Sequence, residues 1–249
     1  MDAAVRVKNL VKKFGSFVAN DHLSFEVAKG EVFGFLGANG AGKTTAIKIL
    51  CGLSKPTSGE VMVAGYDAYK QGETIKKNIG YMSQKFSLYD DMTISENIRF
   101  YGGIYGLSRK LIKEKTKEYI EVLNLNNYVG RYVKDLPLGI KQKLAFSVAN
   151  VHNPQIVFLD EPTSGVDPIT RRQFWDLIYA EAHKGKTIFV TTHYMDEAEY
   201  CDRITIMVDG RIAALGRPDE LKKKYNASNI SDIFLLLARG KENIKERKL

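Results

Sequence analysis

Hydrophobic positions follow three different rhythms along the chain. Up to Gly30 they alternate with polar ones, as in Val5-Arg6-Val7-Lys8 and Leu23-Ser24-Phe25-Glu26-Val27, and close on a turn at Lys29-Gly30. A period of two sends successive side chains to opposite faces, so this stretch predicts antiparallel strands. An apolar run, Glu31-Val32-Phe33-Gly34-Phe35-Leu36, then enters a glycine-rich segment and a helix-like run from Thr44 to Leu50. Gly59 to Gly65 and Ile79 to Met82 read as short strands. From about Asp91 to Asn150 the period becomes helical. Thr93 or Ser95 is expected to cap a helix reaching Tyr105, with Glu96 as capping partner. Leu111, Ile112, Tyr119, Ile120 and Leu123 predict one face of the next helix, and a third starts near Gly139 and ends near Val151. Strand patterns return at Gln155 to Asp160, Thr187 to Thr191 and Ile204 to Val208, with helices expected at Ile169–Ala182 and Tyr194–Tyr200.

Strands alternating with helices imply a parallel sheet covered on both faces. The expected fold is therefore α/β, with an antiparallel β portion at the start and a helical block inserted. Residues 1–84 and 151–225 form the core in this reading, 85–150 the helical subdomain and 226–249 a short extension. No internal repeat interrupts the pattern.

Between the apolar strand and the helix stands Gly37-Ala38-Asn39-Gly40-Ala41-Gly42-Lys43-Thr44-Thr45. This is G-x-x-x-x-G-K-[ST] in the strand–loop–helix setting a phosphate-binding loop requires. Glycines allow the backbone to curl so that successive N–H groups face an anion at the positive end of a helix. Lys43 adds a full charge for the outer phosphates, and the Thr44 hydroxyl suits a Mg²⁺ shell. An accidental glycine-rich turn of this form arises in about one chain per hundred of this length. The flanking strand and helix patterns favour a nucleoside triphosphate site.

Ile156-Val157-Phe158-Leu159-Asp160-Glu161-Pro162 is the second chemical feature. A hydrophobic strand ending in acids delivers carboxylates to the edge of the sheet that carries the phosphate loop. Asp160 is expected to hold Mg²⁺, and Glu161 to orient or deprotonate an attacking water. Asp-Glu-Pro is also ordinary turn chemistry, and only the loop upstream tips the balance. His193 follows the next apolar strand and falls on the same edge, where an imidazole can reach a terminal phosphate. His22, His152 and His183 lack such placement and read as surface or packing residues. Gln84, just after Ile79–Met82, is placed to reach the metal or the water.

Composition narrows the classes without choosing among them. The 249 residues are 44% hydrophobic and 27% charged, as in an ordinary globular protein. No run approaches the roughly 18 apolar residues needed to span a bilayer, and the N-terminal stretch has no apolar core of a secretory signal. Cys51 and Cys201 lie far apart in apolar surroundings and read as reduced core residues of a cytosolic protein. The formal charge of +8 suits nucleic acid or an anionic membrane surface, but it is spread along the chain and often interleaved with acids, so solvated helix faces explain it best and a membrane-surface bias next. Lys241 to Lys248 is a dense mixed-charge tail, expected to fray.

Taken together, these residues resemble the ATPase subunit of an ABC transporter over about residues 4 to 225. The resemblance implies a P-loop NTPase (RecA-like) core, with ATP and Mg²⁺ as cofactors. It assigns Phe14, in Lys12-Lys13-Phe14-Gly15, to adenine stacking, Gln84 to the glutamine loop and His193 to the switch histidine. It assigns Ser164-Gly165-Val166-Asp167 to a loop at the dimer interface. The family's signature falls on Leu136-Pro137-Leu138-Gly139-Ile140-Lys141-Gln142, which departs from the usual LSGGQ. Pro137 and Leu138 replace serine and glycine, and Ile140 replaces glutamine. Proline supplies neither the hydroxyl nor the N–H with which this segment caps a phosphate held by the opposite subunit. Gly139 and a helix N-terminus remain, and proline is tolerated at helix starts.

The resemblance implies a peripheral subunit at the cytoplasmic face of the cell membrane, with two partners. These are a second ATPase subunit, identical or not, and a separate transmembrane permease that docks near Gln84 and Lys85-Phe86-Ser87-Leu88-Tyr89-Asp90. The tail after Arg217-Pro218-Asp219-Glu220-Leu221 is similar to multidrug-export ATPases, so export is the expected direction. No nucleic acid is expected. The alternative is a soluble ATPase of the same family acting on ribosomes or nucleic acid. Relatives of that kind carry two ATPase domains or long coiled coils, and neither pattern occurs here. A GTPase or small kinase fits less well, since no Asn-Lys-x-Asp segment is present.

Overall fold

A computed structural model describes residues 3–85 and 87–246, with side chains through 239. Four strands, β1 (Ala3–Phe14), β2 (Phe17–Ala28), β4 (Ser58–Val63) and β5 (Tyr66–Asp67), form an antiparallel sheet in the order β2-β1-β4-β5. The alternation seen in the sequence is the reason for its one-sided burial. Leu23, Phe25 and Val27 point inward, and Ser24 and Glu26 point to solvent.

The second sheet has six strands, β3 (Val32–Gly37), β6 (Ile79–Met82), β7 (Ile156–Asp160), β8 (Thr187–Thr192), β9 (Arg203–Val208) and β10 (Arg211–Gly216), ordered β10-β9-β3-β8-β7-β6. All neighbours are parallel except the β9–β10 hairpin. Parallel strands share one C-terminal edge, so the segments after β3, β6, β7 and β8 emerge side by side. Every residue of β3, β7 and β8 is buried, as continuous apolar strands covered on both faces must be.

One core lies between the two sheets and around α1 (Lys43–Leu50). Phe25, Phe33, Phe35, Phe158 and Phe189 cluster there with ring centroids 5.2 to 6.3 Å apart. Each such ring pair adds about 1 kcal/mol beyond the apolar area it buries. On the opposite face α5 (Leu138–Asn150) and α6 (Pro168–Ala182) bury Phe146, Phe174 and Trp175. A third core, built on Ile94, Ile98, Leu125, Val133 and Leu144, joins α5 to α3 (Ile94–Ile104) and α4 (Arg109–Val122). Thr93 caps α3 through the reciprocal box with Glu96 that the sequence predicts.

Several expectations are corrected. Tyr194–Tyr200 is not an α-helix but a 3₁₀ segment, Met195–Tyr200, closed by bonds such as Glu197 N to Tyr194 O. The chain must enter β9 almost at once, which leaves no length for α turns. Leu111 is 41% exposed, because Ile112 beside it already takes the buried direction of α4. The short helix α2 (Gly72–Asn78) and β10 are additions to the predicted elements. The stretch after Gly216 is also helical, in α7 (Pro218–Tyr225) and α8 (Ile230–Glu246). Leu221, Ile230 and Ile233 belong to the same core as Trp175, so these helices pack on the main body. The far end of the charged tail, residues 247–249, lies outside the described residues.

Candidate functional site

The loop after β3 curls around the start of α1. Gly42, the N-cap, has φ 96°, and a Cβ there would sit 2.3 Å from Ala19 O, so only glycine is accommodated. No side chain caps α1 and no acid occupies its first turn, which leaves the positive helix end facing the loop. Lys43 is buried and folds back, its Nζ donating to Gly37 O at 2.8 Å and Ala38 O at 3.1 Å. Asn39 and Gly40 are exposed at the rim of the loop.

Asp160 ends β7 one strand away from that loop, with β8 between them. Thr191 of β8 spans the gap, its Oγ1 donating to Asp160 Oδ1 at 2.6 Å, and Thr44 Oγ1 donates to the same oxygen at 3.3 Å. Burial raises the Asp160 pKa above the ordinary carboxylate value, against these two hydrogen bonds. Its other oxygen, Oδ2, is buried and has no hydrogen-bond partner. A desolvated carboxylate oxygen left unpaired beside a threonine hydroxyl fits a Mg²⁺ ion, a hard cation that takes oxygen ligands.

Glu161 is where the separate segments meet. Its Oε2 accepts from Gln84 Nε2 at 2.9 Å and lies 3.1 Å from His193 Nδ1, while Oε1 lies 3.4 Å from Lys43 Nζ. Burial lowers the Lys43 pKa, against the attraction of Glu161. Glu161 has φ 51°, in the left-handed region that side-chain-bearing residues rarely adopt. Its N–H donates to Thr191 O at 3.1 Å and Thr191 Oγ1 at 3.0 Å, which holds the residue there.

The remaining expected site residues lie farther out. Phe14 is 54% exposed at the tip of the β1–β2 hairpin, with Lys12 Nζ 4.8 Å from its ring centroid. Pro137 is the N-cap of α5 and gives it no side-chain cap. Leu136 is buried in the helical core, Leu138 is exposed and Ile140 half-buried. A Cβ on Gly139 would come within 2.7 Å of Thr170 Cγ2, so the start of α5 lies tight against α6. Asp167 caps α6, Oδ1 accepting from Ile169 N and Thr170 N at 3.0 Å, and hydrogen bonds led by the Thr170 hydroxyl lower its pKa. Ser164 and Gly165 lie between Glu161 and that cap. Tyr89 is exposed and packs edge-on against Phe100, whereas Phe86 lies outside the described residues.

Sequence reasoning missed Thr191, whose hydroxyl and carbonyl position both acids, and Asn97, which is fully buried and bonds Tyr89 through both its N–H and C=O. Thr191 gave a signal, being a polar residue at the end of an apolar strand beside an acid-ended one. Asn97 on the buried face of α3 gave a comparable one. Cys51 and Cys201 are buried free thiols, with pKa values pushed up by burial. Among the described residues no helix is long and apolar enough to cross a membrane.

Fold and site define a phosphate-loop nucleoside-triphosphate-binding protein whose loop, acids, glutamine and histidine share one sheet edge. A model of the ABC transporter family matches residues 20–164. The chain is 49% identical over 221 residues to the probable multidrug ABC transporter ATP-binding protein YbhF of Escherichia coli K12, covering 89% of this chain and 38% of YbhF. It is 36% identical over 235 residues to Nod factor export ATP-binding protein I of Cupriavidus metallidurans CH34, covering 94% and 78%. Among solved structures, the ATP-binding subunit of an ABC transporter matches with TM-score 0.85 and 27% identity, covering 94% of this chain and 99% of that one. The dimeric cassette MJ0796 bound to ADP and Pi matches with TM-score 0.78 and 26% identity, covering 86% and 98%. The chain belongs to the ABC transporter family, as an ATP-binding cassette with ATPase activity. It spans less than two fifths of the length of YbhF.

Proposed function

We propose that the chain is the motor of an exporter, hydrolysing ATP as one of two facing cassettes and driving a separate membrane permease from the cytoplasmic face. The observation that carries the proposal is the Glu161 carboxylate, met at once by Gln84, His193 and Lys43 beside the phosphate loop. In this reading Lys43 exchanges the carbonyls of Gly37 and Ala38 for phosphate oxygens, together with the backbone of Gly37 to Thr45. Glu161 accepts the proton of the attacking water, which Gln84 helps to orient. His193 keeps Nδ1 on Glu161 and presents its other nitrogen to the terminal phosphate. Phe14 stacks on the adenine.

Thr44, Asp160 and Gln84 would hold Mg²⁺, which when bound neutralises charge on the phosphate oxygens. Gly139 and the N-terminus of α5, within the divergent segment Leu136–Ile140, would cap the phosphate of the opposite cassette. Ser164, Gly165 and Asp167 would face that partner. The exposed Tyr89 beside the Gln84 segment suits a permease contact. The names of YbhF and of the Nod factor protein support export. The test is reconstitution in vesicles with the membrane protein encoded beside its gene. Stimulated ATP hydrolysis with ATP-dependent efflux is expected. Unchanged hydrolysis, with salt-sensitive RNA association instead, would sink the reading.

A further inference from the structure

The turn that follows the acids, Thr163-Ser164-Gly165, is held from two sides by buried side chains to which the site described above gives no role. Thr163 Oγ1 donates to Glu197 Oε1 at 2.6 Å, and both residues are buried. Glu197 lies on the 3₁₀ segment directly after His193. From the other side Gln142 Nε2, on the first turns of α5, donates to Ser164 O at 3.1 Å. Ser164 N in turn donates to Glu161 O at 3.2 Å, which closes the turn back onto the acid itself. Two consecutive residues of one turn are thus tied to the histidine-bearing segment and to the helix that carries Gly139 in its first turn.

Burying Glu197 completely is costly, and a hydrophobic residue would fill the space without that cost. Its nearest cation is Arg171, with Nε 3.8 Å from Oε1. Neither Arg171 Nε nor Glu197 Oε2 has a hydrogen-bond partner, and the same is true of Gln142 Oε1. Arg171 instead stacks on Tyr194, 3.9 Å from the ring centroid, beside His193. A stability role alone leaves the choice of a fully buried carboxylate here without a reason. An acceptor aimed at Thr163 supplies one, because the turn then fixes the backbone on which Glu161 keeps its left-handed conformation.

We infer that Thr163, Glu197 and Gln142 are positioning residues that act through the turn to hold Glu161 in register with His193 and with the start of α5. This rests on the proposed role of Glu161 as base. The geometry makes hydrolysis, and not ATP binding, depend on the Thr163 hydroxyl, since the phosphate loop is built from other residues.

The experiment is steady-state ATP hydrolysis by Thr163→Val, Thr163→Ser and Glu161→Gln, with thermal unfolding of each. Thr163→Val keeps the shape and removes the hydroxyl. It is expected to lower kcat by about tenfold or more with KM within about threefold of wild type. Thr163→Ser, which restores the donor, should return kcat to within about threefold. A folded Thr163→Val with kcat lowered less than about fivefold overturns the inference, as does a loss that appears in KM or an equally impaired Thr163→Ser. If Thr163→Val fails to fold, Gln142→Met is read by the same criteria. Glu161→Gln separates the two ideas. If it turns over normally, the proposed base is wrong, whereas a dead Glu161→Gln beside an active Thr163→Val removes only the positioning role.

Discussion

Two regions of this cassette to which the proposed function gives phosphate contacts are built in opposite ways. The edge that carries Lys43, Asp160, Glu161 and His193 is buried and cross-tied, each charged group held by partners from at least one other strand or loop. The start of α5 has Pro137 as an N-cap without a side-chain bond, followed by the exposed Leu138. A site whose charges are fixed by its own chain can be shaped before any ligand arrives. A bare helix end offers only a backbone dipole, and its geometry is completed by whatever faces it. In the proposed function this difference assigns the chemistry to the first region and makes the second a place for contact.

The comparison breaks most sharply at Glu161. Glu161→Gln is expected to slow phosphate release by about a hundred- to ten-thousand-fold while ATP still binds. Rapid turnover would mean that the tied edge is a scaffold and not the reacting centre. Lys43→Ala removes the charge that the loop holds in reserve and should weaken ATP binding by about a hundredfold, as measured by calorimetry. Loss of kcat with binding intact would move Lys43 from the binding group to the reacting one.

A smaller effect is expected at the other region. If a bare helix end suffices, the double change Pro137→Ser, Leu138→Gly should raise ATPase activity by less than about tenfold, since one added hydroxyl is worth about 1 kcal/mol. A larger rise would show that the natural segment is a weakened half. The smallest effect lies away from both regions, where the chain leaves α5 beside the start of β6. His152 stacks on Tyr105 with centroids 3.6 Å apart and approaches Ile79 O at 3.1 Å, and burial lowers its pKa from 6.5 to about 4. A depressed folded-state value means that stability is full above pH 6.5 and is lost as pH falls toward 4. His152→Phe should remove about 1 kcal/mol of that loss, allowing for solvent screening, in unfolding curves taken across this window.

The tied region was also the more legible in the sequence. A strand, three glycines, a lysine and a helix start are local in the chain, so Gly37 to Thr45 declares itself. Acids at strand ends are nearly as plain, because parallel strands bring their ends to one edge whatever the strand order. The strand order itself was not legible, and so Thr191, standing between Asp160 and the loop, went unnoticed. Periodicity names a helix face but not which of two adjacent apolar residues takes it, which is why Leu111 and Ile112 were grouped. The 3₁₀ path at Met195–Tyr200 depends on how soon β9 must begin, a tertiary demand that a seven-residue window does not contain. Glu197 was hidden for the same reason. It reads as an ordinary polar residue of the expected helix until the fold closes over it.

Glu161 occupies a backbone conformation that costs a side-chain-bearing residue about 1 kcal/mol relative to glycine. Selection on this position therefore pulls two ways. A population of variants sorted for tolerance to heat would drift toward glycine or asparagine there, and toward a neutral residue at Asp160, whose Oδ2 is buried without a hydrogen-bond partner. Lineages kept for turnover would retain both acids at a standing disadvantage in stability. Heat-sorted descendants of this chain would be the sturdier ones, and the inert ones.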